Sequence, residues 1–478
     1  MRARFLAFCV TLMTLSGCAV HAASSALGVS GAPDPHVIVF RSDRRTSWPQ
    51  FRLGDGLDVV VVNPNLPREF AWRVPMGGIS SSPTVLGSTI FVSCNDHHVY
   101  AIDAATGALR WRYHAENEVM SQPAFANGLV YVGIGNSENT VFDPPHLSVI
   151  GTGMNKVEAI DARTGIEQWW AGLIATGMPS QAIVGETLFA VDGTGSVFAI
   201  DARSGAFLWY EDLLSDFAMS SVVAGADGRI FLSGRFPSVV YALRERGGAV
   251  VWQHRFSDGY GGIGDDPLAS ADGALVGVYL EPLGRGKFGA FAFWGSQARE
   301  HVYALDDRNG HLLWDTTLRT VAGTVPQYNE AAIALIYGGR IYVGSAIAPV
   351  VTALDMHGHV LWQLRVHGPV KGGIDALDGV LYFGDLGGSL WAVDAGNGRV
   401  IGSIATDMHF NVGSPIIVND TLVQGGLQDT IAVPLADIRD SRQVSGVTRL
   451  TVWEHAGRFF AGLIPRRDPH LEQSYFHH

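Results

Sequence analysis

Short runs of alternating apolar and polar positions cover most of the chain, and helical periodicity is rare. Segments such as SSPTVLGSTIFVS from Ser81, QPAFANGLVYVG from Gln122 and GGIDALDGVLYFG from Gly372 read as pairs of half-buried strands. Between such pairs one phrase recurs: AIDAATGALRW from Ala101, AIDARTGIEQW from Ala159, AIDARSGAFLW from Ala199, ALRERGGAVVW from Ala242, ALDDRNGHLLW from Ala304, ALDMHGHVLW from Ala353 and AVDAGNGRVIG from Ala392. Each copy predicts a hairpin, in which an alternating strand ends at Asp, a Gly-containing turn reverses the chain and a second apolar strand closes on Trp. Gly402 stands where the last copy should have its Trp. Four strands per unit, at a commonest spacing of about 40 residues, predict an all-β chain folded as a propeller.

The ends of the repeat set the blade number. Phe70-Ala71-Trp72-Arg73 has the Trp of an outer strand without the hairpin partner, and Thr430-Ile431-Ala432-Val433 is a partner without its Trp. Joined, they complete an eighth blade, closing the ring with the N-terminal strand and removing free sheet edges. The recurrent Trp111, Trp169, Trp209, Trp252, Trp314 and Trp362 would serve either to stack a cofactor or to pack between blades. Packing is favoured, because a side chain present once per blade has a role repeated once per blade.

Composition narrows the function classes. With 47% hydrophobic and 16% charged residues, the 478-residue chain can bury a large core. A net charge of −12 without any Lys/Arg-rich run excludes nucleic acid as a partner. Residues 1–22 read as an export signal, with Arg2 and Arg4 before the apolar Phe5 to Leu15, which places the mature protein in the periplasm or at the outer membrane. Leu15-Ser16-Gly17-Cys18 fits a lipobox in which Cys18 is lipidated, giving outer-membrane attachment; cleavage after Ala22 is the alternative. Cys94 is the one cysteine beyond this signal, so no intrachain disulfide and no Cys-rich metal site is expected in the folded part. The remaining divisions are an N-terminal extension over 23–65, the propeller over 66–436 with insertions at about 134–156 and 257–300, and a tail over 437–478.

The repeated phrase resembles the repeat of the pyrroloquinoline-quinone (PQQ) propeller superfamily. That superfamily includes quinone-dependent dehydrogenases, the outer-membrane assembly lipoprotein BamB and the tetrathionate hydrolases. The dehydrogenases carry a disulfide between adjacent cysteines beside the quinone, and this chain has no Cys-Cys pair, although Gly133-Ile134-Gly135-Asn136 is faintly similar to one of their glycine-rich stretches. No cofactor is therefore expected. BamB is similar in being a lipobox-bearing eight-bladed propeller, but it is shorter. The tetrathionate hydrolases are similar in length, export and elaboration, with the texture of Val343-Gly344-Ser345, Gly384-Asp385, Asn411 to Pro415 and Ala432 to Leu435. This resemblance implies a hydrolase cleaving the S–S bond of an inorganic polythionate, with a BamB-like, non-enzymatic scaffold as the alternative and a PQQ dehydrogenase third.

Aligning the blades exposes a charged cluster independently of the resemblance. The inner strands start near the mouth of the central funnel, so residues at those starts converge. Blades one to four offer Ser80-Ser81-Ser82, Ser121-Gln122, Ser180-Gln181 and Ser220-Ser221; blade five offers Asp265-Asp266, blade six Asn329-Glu330, blade seven Lys371 and blade eight Asn411 with Ser414. Asp265, Asp266 and Glu330 are the catalytic candidates, since neighbouring carboxylates split into an acid and a base. Lys371, Asn329, Arg235 and His367 are the candidates for binding a small anionic substrate. A structural salt-bridge network and an oxygen-ligated metal are the competing readings of the cluster. The aromatic run Phe288 to Trp294 would either wall the funnel or pack as a strand. His97-His98 and His477-His478 read as turn or exposed histidines, with metal binding the alternative. A homo-oligomer is compatible with all of this.

Overall fold

The computed structural model describes residues 39–40, 60–143, 146–213, 220–225, 227–234, 238–257, 268–283, 297–321 and 332–441. It is an eight-bladed β-propeller, as the repeat predicts, with seven four-stranded antiparallel blades and an eighth whose sheet gains two short N-terminal strands. Blade one runs outward through Thr84–Leu86, Thr89–Cys94, His98–Asp103 and Leu109–His114, and the later blades repeat the order. Blade eight takes three strands from Ile416–Val418, Thr421–Gly425 and Asp429–Pro434, and its outer strand from Trp72–Pro75. Trp72 lies opposite Ala432, the closure expected from the two half-motifs.

The core is distributed between blades rather than within them. Ala182, Phe189 and Val191 of blade three pack with Ile230, Leu232 and Tyr241 of blade four, and Phe231 and Val240 of blade four pack with Leu275 and Tyr303 of blade five. A blade is two-faced, so both faces are apolar and each is buried only by its neighbour.

Each Trp performs one joint of this packing. The indole N–H of Trp252 donates to the Asp307 carbonyl of the next blade at 2.9 Å, and that of Trp209 donates to Glu245 at 2.9 Å. The ring lies under the turn glycine of that next blade: a Cβ on Gly310 would sit 2.4 Å from Trp252, and one on Gly205 2.7 Å from Trp169. These glycines also hold φ near +70°, so two requirements select the same residue. The outer strand differs from the sequence expectation in one respect. It does not stop at Trp but continues three residues to His114 in blade one, because a β-bulge before the Trp re-aims the strand. The bulge turns the two residues preceding Trp outward, leaving Phe207-Leu208, Val250-Val251 and Leu312-Leu313 exposed.

The two faces of the ring differ. Inner strands begin on the face that also carries the second-to-third strand connections. There blade two adds the hairpin Thr140–Asp143 with His146–Val149, and blade five lengthens its second, third and outer strands to 10 residues each. The opposite face holds the tight turns. Against it Val60–Val62 pairs in parallel with the inner strand of blade eight, and Asn63 donates to the Gly87 carbonyl of blade one at 2.7 Å.

Candidate functional site

The starts of the inner strands converge on the elaborated face and are joined laterally by hydroxyl groups. Gly373 of blade seven donates its N–H to Ser414 Oγ at 2.9 Å, and Ser414 of blade eight donates its N–H to Ser82 Oγ at 2.8 Å. The Gln122 amide of blade two donates to the Pro83 carbonyl of blade one at 3.0 Å, while the Gln122 N–H donates to Ser180 Oγ of blade three at 2.9 Å. This arc from blade seven to blade three forms the neck of the funnel. Small polar residues are needed there because eight strand starts crowd one axis and each backbone N–H still requires a partner.

Lys371 lies in this arc, buried beside Gly372-Gly373. The same inner strand opens on a second buried charged residue, Asp375, whose carboxylate accepts from the Ile417 N–H of blade eight at 3.1 Å. The side-chain carbonyl oxygens of Gln122 and Gln181 are buried there without a protein partner, so the neck also presents acceptors. His367 sits farther out on blade seven. Its ring packs on Trp391 at 4.7 Å, its Nδ1 lies 2.8 Å from Ser389 Oγ, and its backbone N–H donates to Asp385 at 3.1 Å. Asp385 is a buried staple, also accepting from the Trp391 indole at 2.8 Å, and burial pushes its carboxyl up. Asp192 plays the same part in blade three, where burial raises it to about 6 against the hydrogen bonds of Thr194. Asp265, Asp266, Asn329, Glu330, Arg235, the 288–294 run and Cys18 lie outside the described residues.

Two charged groups were not singled out from the sequence. Glu158 of blade two is fully buried, 2.7 Å from Lys156 Nζ, which also reaches Glu116 at 3.1 Å. Burial raises Glu158 to about 7 despite Lys156. The repeat contained the signal, since Glu158 occupies the position of Tyr100, Phe198, Tyr241, Tyr303 and Trp391. In blade five the lengthened strands pair buried Glu300 with Arg319 at 2.8 Å, and His301 bridges Asp315 at 2.9 Å and Glu281 at 3.3 Å. The blade-five group depends on cross-strand register, which strand order along the chain does not reveal, whereas Lys156 and Glu158 stand two residues apart on one strand.

Among the described residues no donor set for a quinone and its calcium ion comes together. Cys94 is buried, and burial pushes its thiol up to about 12, which leaves it inert. Among the described residues no three His, Cys, Asp or Glu are placed to hold a metal ion. No step is therefore assigned to a bound quinone.

Comparison with known proteins agrees with the architecture. The family model described as outer membrane protein assembly factor BamB matches residues 58–146, 153–280 and 298–448. Tetrathionate hydrolase of Acidithiobacillus ferrooxidans is 26% identical over 377 residues, covering 76% of this chain and 74% of that protein. The BamB of Yersinia pestis is 27% identical over 347 residues, covering 72% and 68%. The crystal structure of BamB from Moraxella catarrhalis superposes with a TM-score of 0.55 at 16% identity, over 76% of this chain and 98% of that one. With matched segments spanning most of the ring, the chain belongs to the PQQ-like propeller family described by that BamB model.

Proposed function

We propose that this chain is an exported hydrolase that cleaves an S–S bond of an inorganic polythionate, by similarity to the tetrathionate hydrolase of Acidithiobacillus ferrooxidans. The observation that carries the reading is the funnel neck. It combines Lys371 with a belt of serine hydroxyls and glutamine amides on the one face where blades two and five are elaborated. A lysine among neutral donors suits a small, highly charged, weakly basic oxyanion. In the reaction, water forms an S–O bond as the S–S bond breaks, the departing sulfur keeps the electron pair, and a carboxylate takes the proton from water. Asp265, Asp266 and Glu330 are assigned that proton, and Lys371, Asn329, Arg235 and His367 the substrate.

The test is incubation of the mature protein with tetrathionate at acid pH, following thiosulfate and sulfate. Turnover is expected to fall by about 100-fold or more in at least one of Asp265→Asn, Asp266→Asn and Glu330→Gln. Full activity in all three variants would remove the carboxylate assignment. A second reading, a non-enzymatic scaffold in outer-membrane protein assembly, is favoured by the BamB similarity and by the exposed apolar pairs along the outer strands. Co-purification with an outer-membrane barrel, without turnover, would select it.

A further inference from the structure

The turn between the second and third strands of blade one departs from its counterparts in a way the fold does not require. The third strands of blades three and seven begin at Ser196 and Ser389, and each is preceded by a glycine, Gly195 at φ +95° and Gly388 at φ +91°. Blade one begins this strand at His98, preceded by His97 at φ +70°. A bulky side chain thus holds the left-handed backbone for which blades three and seven use glycine. Such strain persists where the side chain has a use.

The neighbouring strand supplies a third imidazole. His98 lies directly opposite His114 of the outer strand. The His98 and His114 rings are 4.8 Å apart, and the His97 and His114 rings 6.3 Å apart. All three occupy one corner of the elaborated face, with His114 exposed and the others half-buried. His98 Nδ1 lies 2.8 Å from the Asp96 carbonyl oxygen, so it donates there and Nε2 takes up any further proton.

The charged and titratable groups that the described residues bring against this corner are few. Asp96 Oδ2 accepts from Gly77 N–H at 2.8 Å and Tyr100 O–H at 2.6 Å, and its Oδ1, which makes no hydrogen bond, lies 3.4 Å from His98 Nδ1. Arg112 faces Tyr100 across the strands, Cys94 faces His98 as a neutral thiol, and Glu116 in the following loop is held by Lys156. Three imidazoles and a guanidinium therefore meet a single carboxylate, whose Oδ1 faces His98 alone. A metal ion is a poor occupant, because these side chains do not form a ligand group of three. Imidazoles as a class become cationic below about pH 6.5. An oxyanion seated among neighbouring imidazoles accepts their N–H groups, and protonated imidazoles as a class hold it more tightly than neutral ones.

We propose that His97, His98 and His114 form an acid-dependent binding corner for a small oxyanion of the sulfate class, separate from the funnel neck. The probe is inorganic sulfate, titrated into the whole protein at constant ionic strength and followed by calorimetry and by the histidine ring resonances. Saturable binding is expected at about pH 5, weakened by about tenfold or more at about pH 8. The double variant His97→Gly/His98→Ser installs the residues that blades three and seven already carry, so it is expected to keep its urea midpoint and lose the binding. His114→Gln is expected to weaken binding while the Asp96 contacts remain. Equal sulfate affinity at both pH values, or an unchanged affinity in the double variant, would overturn the proposal. Because tetrathionate turnover is not the readout, failure of the hydrolase reading leaves this result standing, and the reverse also holds.

Discussion

Gly402 breaks the repeat because its place is already taken. Each Trp of the repeat lies under a turn glycine of the following blade, but blade eight has no such turn, since its outer strand comes from the other end of the chain. The short helix Leu435–Arg439 continues from Pro434 instead, and a Cβ on Gly402 would sit 2.2 Å from the Arg439 carbonyl oxygen. Gly402→Ala is expected to cost about 1–3 kcal/mol through overpacking, read as a lowered urea midpoint. An unchanged midpoint would mean that the helix shifts aside. The anomaly was visible in the sequence and its cause was not, because the helix and Gly402 are neighbours only after the ring has closed.

At the scale of elements, the outer edge of blade eight rests on one short strand. Trp72–Pro75 pairs with Asp429–Pro434, and Arg73 holds Asp407 and Asp429 at 2.7 Å each. The Trp72 indole donates to the Ala104 carbonyl at 2.8 Å, joining blade eight to blade one. Trp72→Ala is expected to destabilise by about 3–5 kcal/mol and to speed amide exchange across 429–434 more than in blade four. Uniform exchange in all blades would show that closure is not a weak point. This joint was legible in the sequence because the two half-motifs complete each other. The blade-five extension was not, since 10-residue strands show their lengthening only through register.

Over the whole molecule, buried carboxylates set the pH dependence. Burial raises Glu158 to about 7, and burial with the nearby charge of Glu138 raises Glu118 to about 7; Asp192 stands at about 6. Each binds its proton more tightly folded than unfolded. Its contribution is complete below the ordinary carboxyl value of about 4 and disappears as pH rises through these values. Asp103, held down by Arg110, and Asp201, held down by Ser204, act in the opposite sense and lose their contribution as pH falls below about 4. Those two are well exposed and count for little. Stability is therefore expected to peak at about pH 4–6 and to decline toward pH 8. Urea midpoints across this range check it, and Glu158→Gln is expected to flatten the decline. A maximum at or above pH 7 would contradict the assignment.

The sequence by itself determined the propeller, its eight blades, its point of closure and the packing role of the tryptophans. All of these follow from a repeat whose every copy must bury two faces against identical neighbours, so local pattern and global order carry the same information. Only the tertiary structure decided what Gly402 accommodates, where Glu300 finds Arg319, and how His114 meets His97 and His98. Those groupings arise from register and from contacts between separate strands, and register is a property of paired strands rather than of any one of them.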